Sequence, residues 1–167
     1  MSAAPTGLDP VDYIAHTQAM YDALGYPHYQ WAQNPEDPAL VAPTKPLAES
    51  TVVLIASGGV YRRGQVGFTH KDDVTHREIP ADTPEDQLGL SHFAYDQTNA
   101  RQDVNVVFPL TTLRTLADRG VIGEVADVAI TFMGGIYSQR RVRDELIPPI
   151  VERIRELEAD LALLVPV

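Results

Sequence analysis

Three apolar, β-branched runs constrain the fold most: "STVVLIASGG" at 50–59, "DVAITFMGG" at 127–135 and "LALLVPV" at 161–167. Such runs lack the polar alternation of a half-solvated strand, so each predicts a strand covered on both faces. A further apolar run, "VNVVFPL" at 104–110, predicts another buried strand. Helical segments lie between them. "LTTLRTLADRG" reads as a helix closed by Gly120, and Ser138–Glu158 has helical spacing at Val142, Leu146, Ile150, Ile154 and Leu157. Pro148 and Pro149 must kink or divide that second helix. Strands alternating with helices require right-handed crossovers and parallel pairing. The expected fold is therefore a three-layer, Rossmann-like α/β domain, with a mostly parallel sheet flanked by helices.

A chain of 167 residues, 44% hydrophobic and 22% charged, suits one globular domain spanning 1–167. No apolar run reaches the roughly 20 residues of a membrane span, and "MSAAPTGLDP" has no signal-peptide pattern, so a cytoplasmic location is expected. The net charge of −10 makes nucleic acid a poor partner. The basic cluster "SQRRVR" at 138–143 reads as a solvated helical turn, or as a contact for a phosphate or acidic partner. The chain has no cysteine, which excludes a disulfide, a thiolate metal site or a cysteine nucleophile within it.

At the N-terminal end, 1–25 predicts a helix with Asp9 as N-cap, Pro10 in the first position and Gly25 just past the end. Residues 26–50 hold Pro27, Pro35, Pro38, Pro43 and Pro46, and predict an extended Pro-rich arm. Tyr29 and Trp31 in that arm are expected at an interface, as aromatic anchors. Residues 61–103 are turn-rich, and few regular elements are expected in them.

In a parallel sheet all strand exits share one edge, where ligands collect. Ser57, Gly58 and Gly59 leave the first strand there, and Met133, Gly134 and Gly135 leave the third. Glycine in these places either lets a ligand approach the backbone or simply makes a tight exit. Between them in sequence, "SHFAYDQTNARQDVN" holds Ser91, His92, Asp96, Asp103 and Asn105, groups suited to moving a proton or holding a charged ligand. His92 and Asp96 are the candidate catalytic groups. Ser57, Gly58, Gly59, Asp103, Asn105, Met133 and Gly134 are the candidate substrate contacts. Ser91 beside His92 is no hydrolase signature, since no G-x-S-x-G elbow is present. His70, Asp72, Asp73 and His76 read as a solvated loop or as a divalent-metal cluster, matching no tight ligand pattern. No metal or cofactor is assigned to the site. His16 reads as a surface or packing residue.

The segments "SGGVYRRGQVGF", "REIPADTPEDQLGLSHFAYD", "QDVNVVFPLTTLRTLADRGVIG" and "FMGGI", in that order, resemble the selenoprotein B-type subunits of glycine, sarcosine and betaine reductase and of D-proline reductase. The resemblance spans 51–167. It implies a reductase subunit, in which the strand resembling "ADLALLVPV" precedes a loop bearing selenocysteine or cysteine, the nucleophile of reductive carbon–nitrogen cleavage. This chain shows no counterpart of that residue, and looks like the front part of such a subunit.

Two functions of different class remain open. The chain is a subunit acting on a small amino-acid-like or nitrogenous substrate, its redox thiol or other reactive group brought by a second protein chain. Alternatively it is a non-redox, homo-oligomeric protein that binds a ligand or does acid/base work through His92 and Asp96. Either way self-association or a partner chain is expected.

Overall fold

The computed structural model describes residues 12–28, 30, 32–38 and 41–167. The chain divides into two compact units, Met1–Ala39 and Leu40–Val167. In the first, helix α1 spans Tyr13–Ala23. Its N-cap is Asp12, whose carboxylate accepts from the Ile14 and Ala15 amides at 3.2 and 3.1 Å. The helix thus starts three residues later than an Asp9 cap would place it. Asp9, Pro10, Tyr29 and Trp31 lie outside the described residues. Gly25 follows the C-cap Leu24 with φ of 71°, as expected of the residue that stops a helix.

In the second unit, β1 (Thr51–Ala56) is the centre of the sheet. It pairs in parallel with β5 (Glu124–Val125) through Thr51 and Val52, and with β6 (Val128–Phe132) through Ile55 and Ala56. β7 (Leu161–Val165) pairs with it in parallel along Val52–Ala56. The fifth strand, β3 (His76–Pro80), joins β6 antiparallel. A separate two-stranded ribbon joins β2 (Val60–Arg62) to β4 (Leu88–Leu90). The expected mostly parallel α/β architecture is present.

Alternation along β1 sends side chains to two cores. Val52, Leu54 and Ala56 face Phe108, Leu110 and Leu113, the last two on helix α3 (Leu110–Asp118). Val53 and Ile55 face Leu146 and Ile150 on the other side of the sheet. There a short helix α4 (Gln139–Arg141) runs into a π turn at Val142–Leu146 and then into α5 (Ile147–Glu156). Pro148 and Pro149 fall in the first turn of α5, directly after the π turn, and their missing N–H groups leave carbonyls of that turn without ladder partners. The division expected of these prolines is made by the π turn before them.

Two expectations are corrected. "VNVVFPL" is no strand: Asp103 accepts from the Asn105 amide and starts a 3-10 turn at Val104–Val106, and Pro109, without a donor, precedes α3. Val107, Phe108 and Leu110 are buried from that irregular backbone, which satisfies the apolar pattern without a ladder. Residues 61–103, expected to be largely irregular, hold β3, β4 and helix α2 (Thr98–Gln102). Charges at Arg77 and Glu78 hid β3, an outer strand that tolerates them.

Phe108 is fully buried. Phe108→Ala should cost about 3–5 kcal/mol, the range for deleting a buried aromatic ring. Urea unfolding followed by circular dichroism measures it, and a loss under about 1 kcal/mol would contradict this packing.

Candidate functional site

Three strand exits meet at Ser57. Its amide donates to the Val165 carbonyl at 3.1 Å, its carbonyl accepts from the Gly134 amide at 2.9 Å, and its Oγ accepts from the Val167 amide at 2.9 Å. One residue therefore ties β1, β6 and β7 at their carboxyl ends. Gly58 continues the tie by bridging Met133, and a Cβ there would press on Val107 at 3.1 Å. Gly134 packs so closely that a Cβ would sit 2.9 Å from that of Ser57. Met133 is fully buried, its Sδ accepting from the Gly135 amide at 3.1 Å.

The 91–97 loop lies over this junction. Ser91 and Gly59 are bonded amide to carbonyl at 2.8 Å. Gly59 has φ of 66°, and a Cβ on it would come within 2.3 Å of the Ser91 carbonyl oxygen. The Tyr95 hydroxyl donates to the Gly58 carbonyl at 3.1 Å, and Ala94 approaches Gly135. Tyr95 also sets its ring 4.6 Å from the His92 ring.

His92 is 4% exposed. Its Nδ1 accepts from the Ala94 amide at 3.1 Å, while Nε2 is buried with no partner among the described residues. Burial lowers the pKa of this imidazole and holds it neutral. A buried polar atom left unpaired costs about 1–3 kcal/mol, so it marks this position within the fold.

The other candidates are differently employed. Asp96 accepts from the Thr98 amide and hydroxyl at 2.9 and 2.6 Å, a turn leading into α2, and the Thr98 hydroxyl bond lowers its pKa. Asp103 accepts from the Asn105 amide and side chain. Asn105 also donates to Glu85 at 2.8 Å and accepts from the Thr112 amide at 3.3 Å, joining three segments. Ser57, Gly58, Gly59, His92, Met133 and Gly134 are thus linked around one junction. The bonds of Asp96, Asp103 and Asn105 run instead into turns and into α3. Tyr95, missed in sequence, stands three residues after His92.

His70, Asp72, Asp73 and His76 do not converge, and among the described residues no three metal-ligating side chains do. His70 packs on Phe93, Asp72 accepts from the Tyr137 and Ser138 amides, and Asp73 accepts from the Thr69 and Thr75 amides. Burial opposes ionisation of Asp73, yet bonds from Thr75 and Thr69 and the charge of Arg77 lower its pKa.

The family description "Glycine/sarcosine/betaine reductase selenoprotein B" fits residues 35–164. The chain belongs to this family. It is 35% identical over 121 residues to D-proline reductase subunit gamma of Acetoanaerobium sticklandii, covering 72% of this chain and 50% of that protein. Over 148 residues it is 25% identical to glycine reductase complex component B subunit gamma of Symbiobacterium thermophilum, covering 83% of this chain and 32% of that one. It is 27% identical over 114 residues to sarcosine reductase complex component B subunit beta of Peptoclostridium acidaminophilum, at 65% and 25% coverage. The chain spans half the length of the first of these relatives, and a third or less of the others. No solved structure matches it.

Gly59→Ala should destabilise the second unit by at least about 1–3 kcal/mol, the cost of a non-glycine residue in this backbone region, with the Ser91 contact added. A melting temperature within a degree of the parent would contradict it.

Burial lowers the pKa of His76 as well as that of His92. The unfolded chain then takes up protons first as pH falls below about 6.5, so stability is full above that pH and declines beneath it. Urea midpoints between pH 7.5 and 5 should show this fall, and His76→Asn with His92→Asn should flatten it. An unchanged slope would mean that neither imidazole is held neutral.

Proposed function

We propose that the chain is a subunit of a reductase complex acting on a small amino-acid-like or nitrogenous substrate. A partner chain brings the redox thiol, or another reactive group, to the glycine-lined strand exits. The observation that carries this reading is the junction itself: Gly59 packs against Ser91 and a buried His92, next to the close contacts of Gly58 with Val107 and of Gly134 with Ser57, and the Nε2 of His92 has no partner among the described residues. Family membership and the naming of its relatives as reductase-complex subunits support it. The absence of cysteine from these 167 residues means that a thiol must come from elsewhere.

In this reading Gly58, Gly59 and Gly134 let substrate approach the backbone, and His92 donates a proton to it or anchors it. Asp96, Asp103 and Asn105 hold the surrounding turns in place, and Ser57 and Met133 shape the floor. The complex is cytoplasmic and hetero-oligomeric. No described helix is long and apolar enough to cross a membrane. Association is supported by β7, which pairs only with β1 among the described strands and leaves Leu163 39% and Leu164 68% exposed. Apolar strands on a sheet's outer edge are usually covered in an assembly.

The test is native purification from cell extract, with mass spectrometry of every chain and thiol alkylation. Activity should be lost on alkylation while this chain stays unmodified, and His92→Ala should abolish turnover with little change in melting temperature. Reductase activity from the pure chain with a dithiol alone would overturn the proposal. So would a His92→Ala complex that is unstable but fully active per folded molecule.

A further inference from the structure

The hydrogen bonds around His92 decide what its ring can do. Nδ1 accepts from the Ala94 amide, so it carries no proton. A neutral imidazole has one N–H, which must then be on Nε2, the atom with no partner among the described residues. Such a ring donates a hydrogen bond but has no spare proton to give away, since a second loss would make imidazolate. A neutral, fixed N–H is suited to an anionic acceptor.

We infer that His92 is a neutral Nε2–H donor for the carboxylate of the substrate, with Tyr95 as the residue that holds its loop closed in the absence of ligand. This rests on the amino-acid-like substrate proposed above, and settles how His92 meets it: by a hydrogen bond held throughout and not by proton transfer. The Ala94 contact is two residues away in the chain and travels with the loop, so it keeps the same tautomer wherever the loop goes. Tyr95 acts at longer range. Its hydroxyl pins the loop to the Gly58 carbonyl, and its ring packs against the imidazole. Because Nε2 is buried, a ligand reaches it only when residues 91–97 lift. The bonds that must yield are Ser91 amide to Gly59 carbonyl, Ser91 hydroxyl to Phe68 carbonyl and Tyr95 hydroxyl to Gly58 carbonyl.

Long-range 1H–15N correlation spectra of the 15N-labelled chain test this directly. At pH 7 to 8 the His92 ring should show an unprotonated Nδ1 and a protonated Nε2. Acetate and glycine should move the Nε2–H resonance downfield, and methylamine, which lacks a carboxylate, should leave it in place. His92→Gln should weaken glycine binding at least tenfold. Tyr95→Phe should stay folded, keep the tautomer, and speed exchange of the Nε2 proton with water at least tenfold. A proton on Nδ1 would overturn the inference, as would an equal response to methylamine, or no response to either carboxylate. An ordered water on Nε2 that saturating acetate does not displace would also overturn it, making His92 a packing residue. These readouts concern the chain alone, so their failure would leave the alkylation result on the complex standing.

Discussion

Everything in the second unit depends on β1 being paired on both of its edges. Its six residues supply the centre of both cores, and its two ends are each fastened by one polar side chain. At the start, Asp160 accepts from the Thr51 amide and pairs with Lys45 at 2.8 Å, which lowers the pKa of its carboxyl group. At the exit, Ser57 joins the three parallel strands through its amide, carbonyl and hydroxyl. Parallel strands share no tight turns, so their register needs such fixed points at the ends.

The exit junction also explains why the glycines are where they are. A left-handed backbone at Gly59 turns the chain out of β1 towards the β2–β4 ribbon, and the same turn leaves room for the Ser91 carbonyl. The ribbon then returns the chain to His92. The loop is consequently fastened by backbone and by the hydroxyls of Ser91 and Tyr95 rather than by its own acidic groups. Asp96 and Asp103, which look like active-site carboxylates in sequence, are used where short acidic side chains are most often used, folding turns from their own backbone.

The family description fits 35–164. That span runs from before β1 into β7 and contains Ser57, Gly58, Gly59, His92, Tyr95, Met133 and Gly134, while Val165 and Val167, which bond to Ser57, lie just past it. The relatives' further length has no counterpart in these residues. The function proposed for the complex therefore turns on what reaches the junction from outside them.

The strands at 51–56, 128–132 and 161–165, the helix at 110–118 and the divided helix before β7 were legible in sequence, because continuous apolar runs and helical spacing report burial directly. The convergence of Ser57, Gly58, Gly59 and Gly134 was also legible, since parallel strands put their exits on one edge. Sequence alone misread "VNVVFPL", where burial came without a ladder, and it missed β3, whose charges suit an outer strand. Nor did it show which polar groups are free. Asp96 and His92 are four residues apart and chemically equal candidates. Only the folded chain exposes one to its own turn and buries the other with a nitrogen that has no partner among the described residues, because hydrogen-bond partners are assigned by tertiary packing and not by residue type.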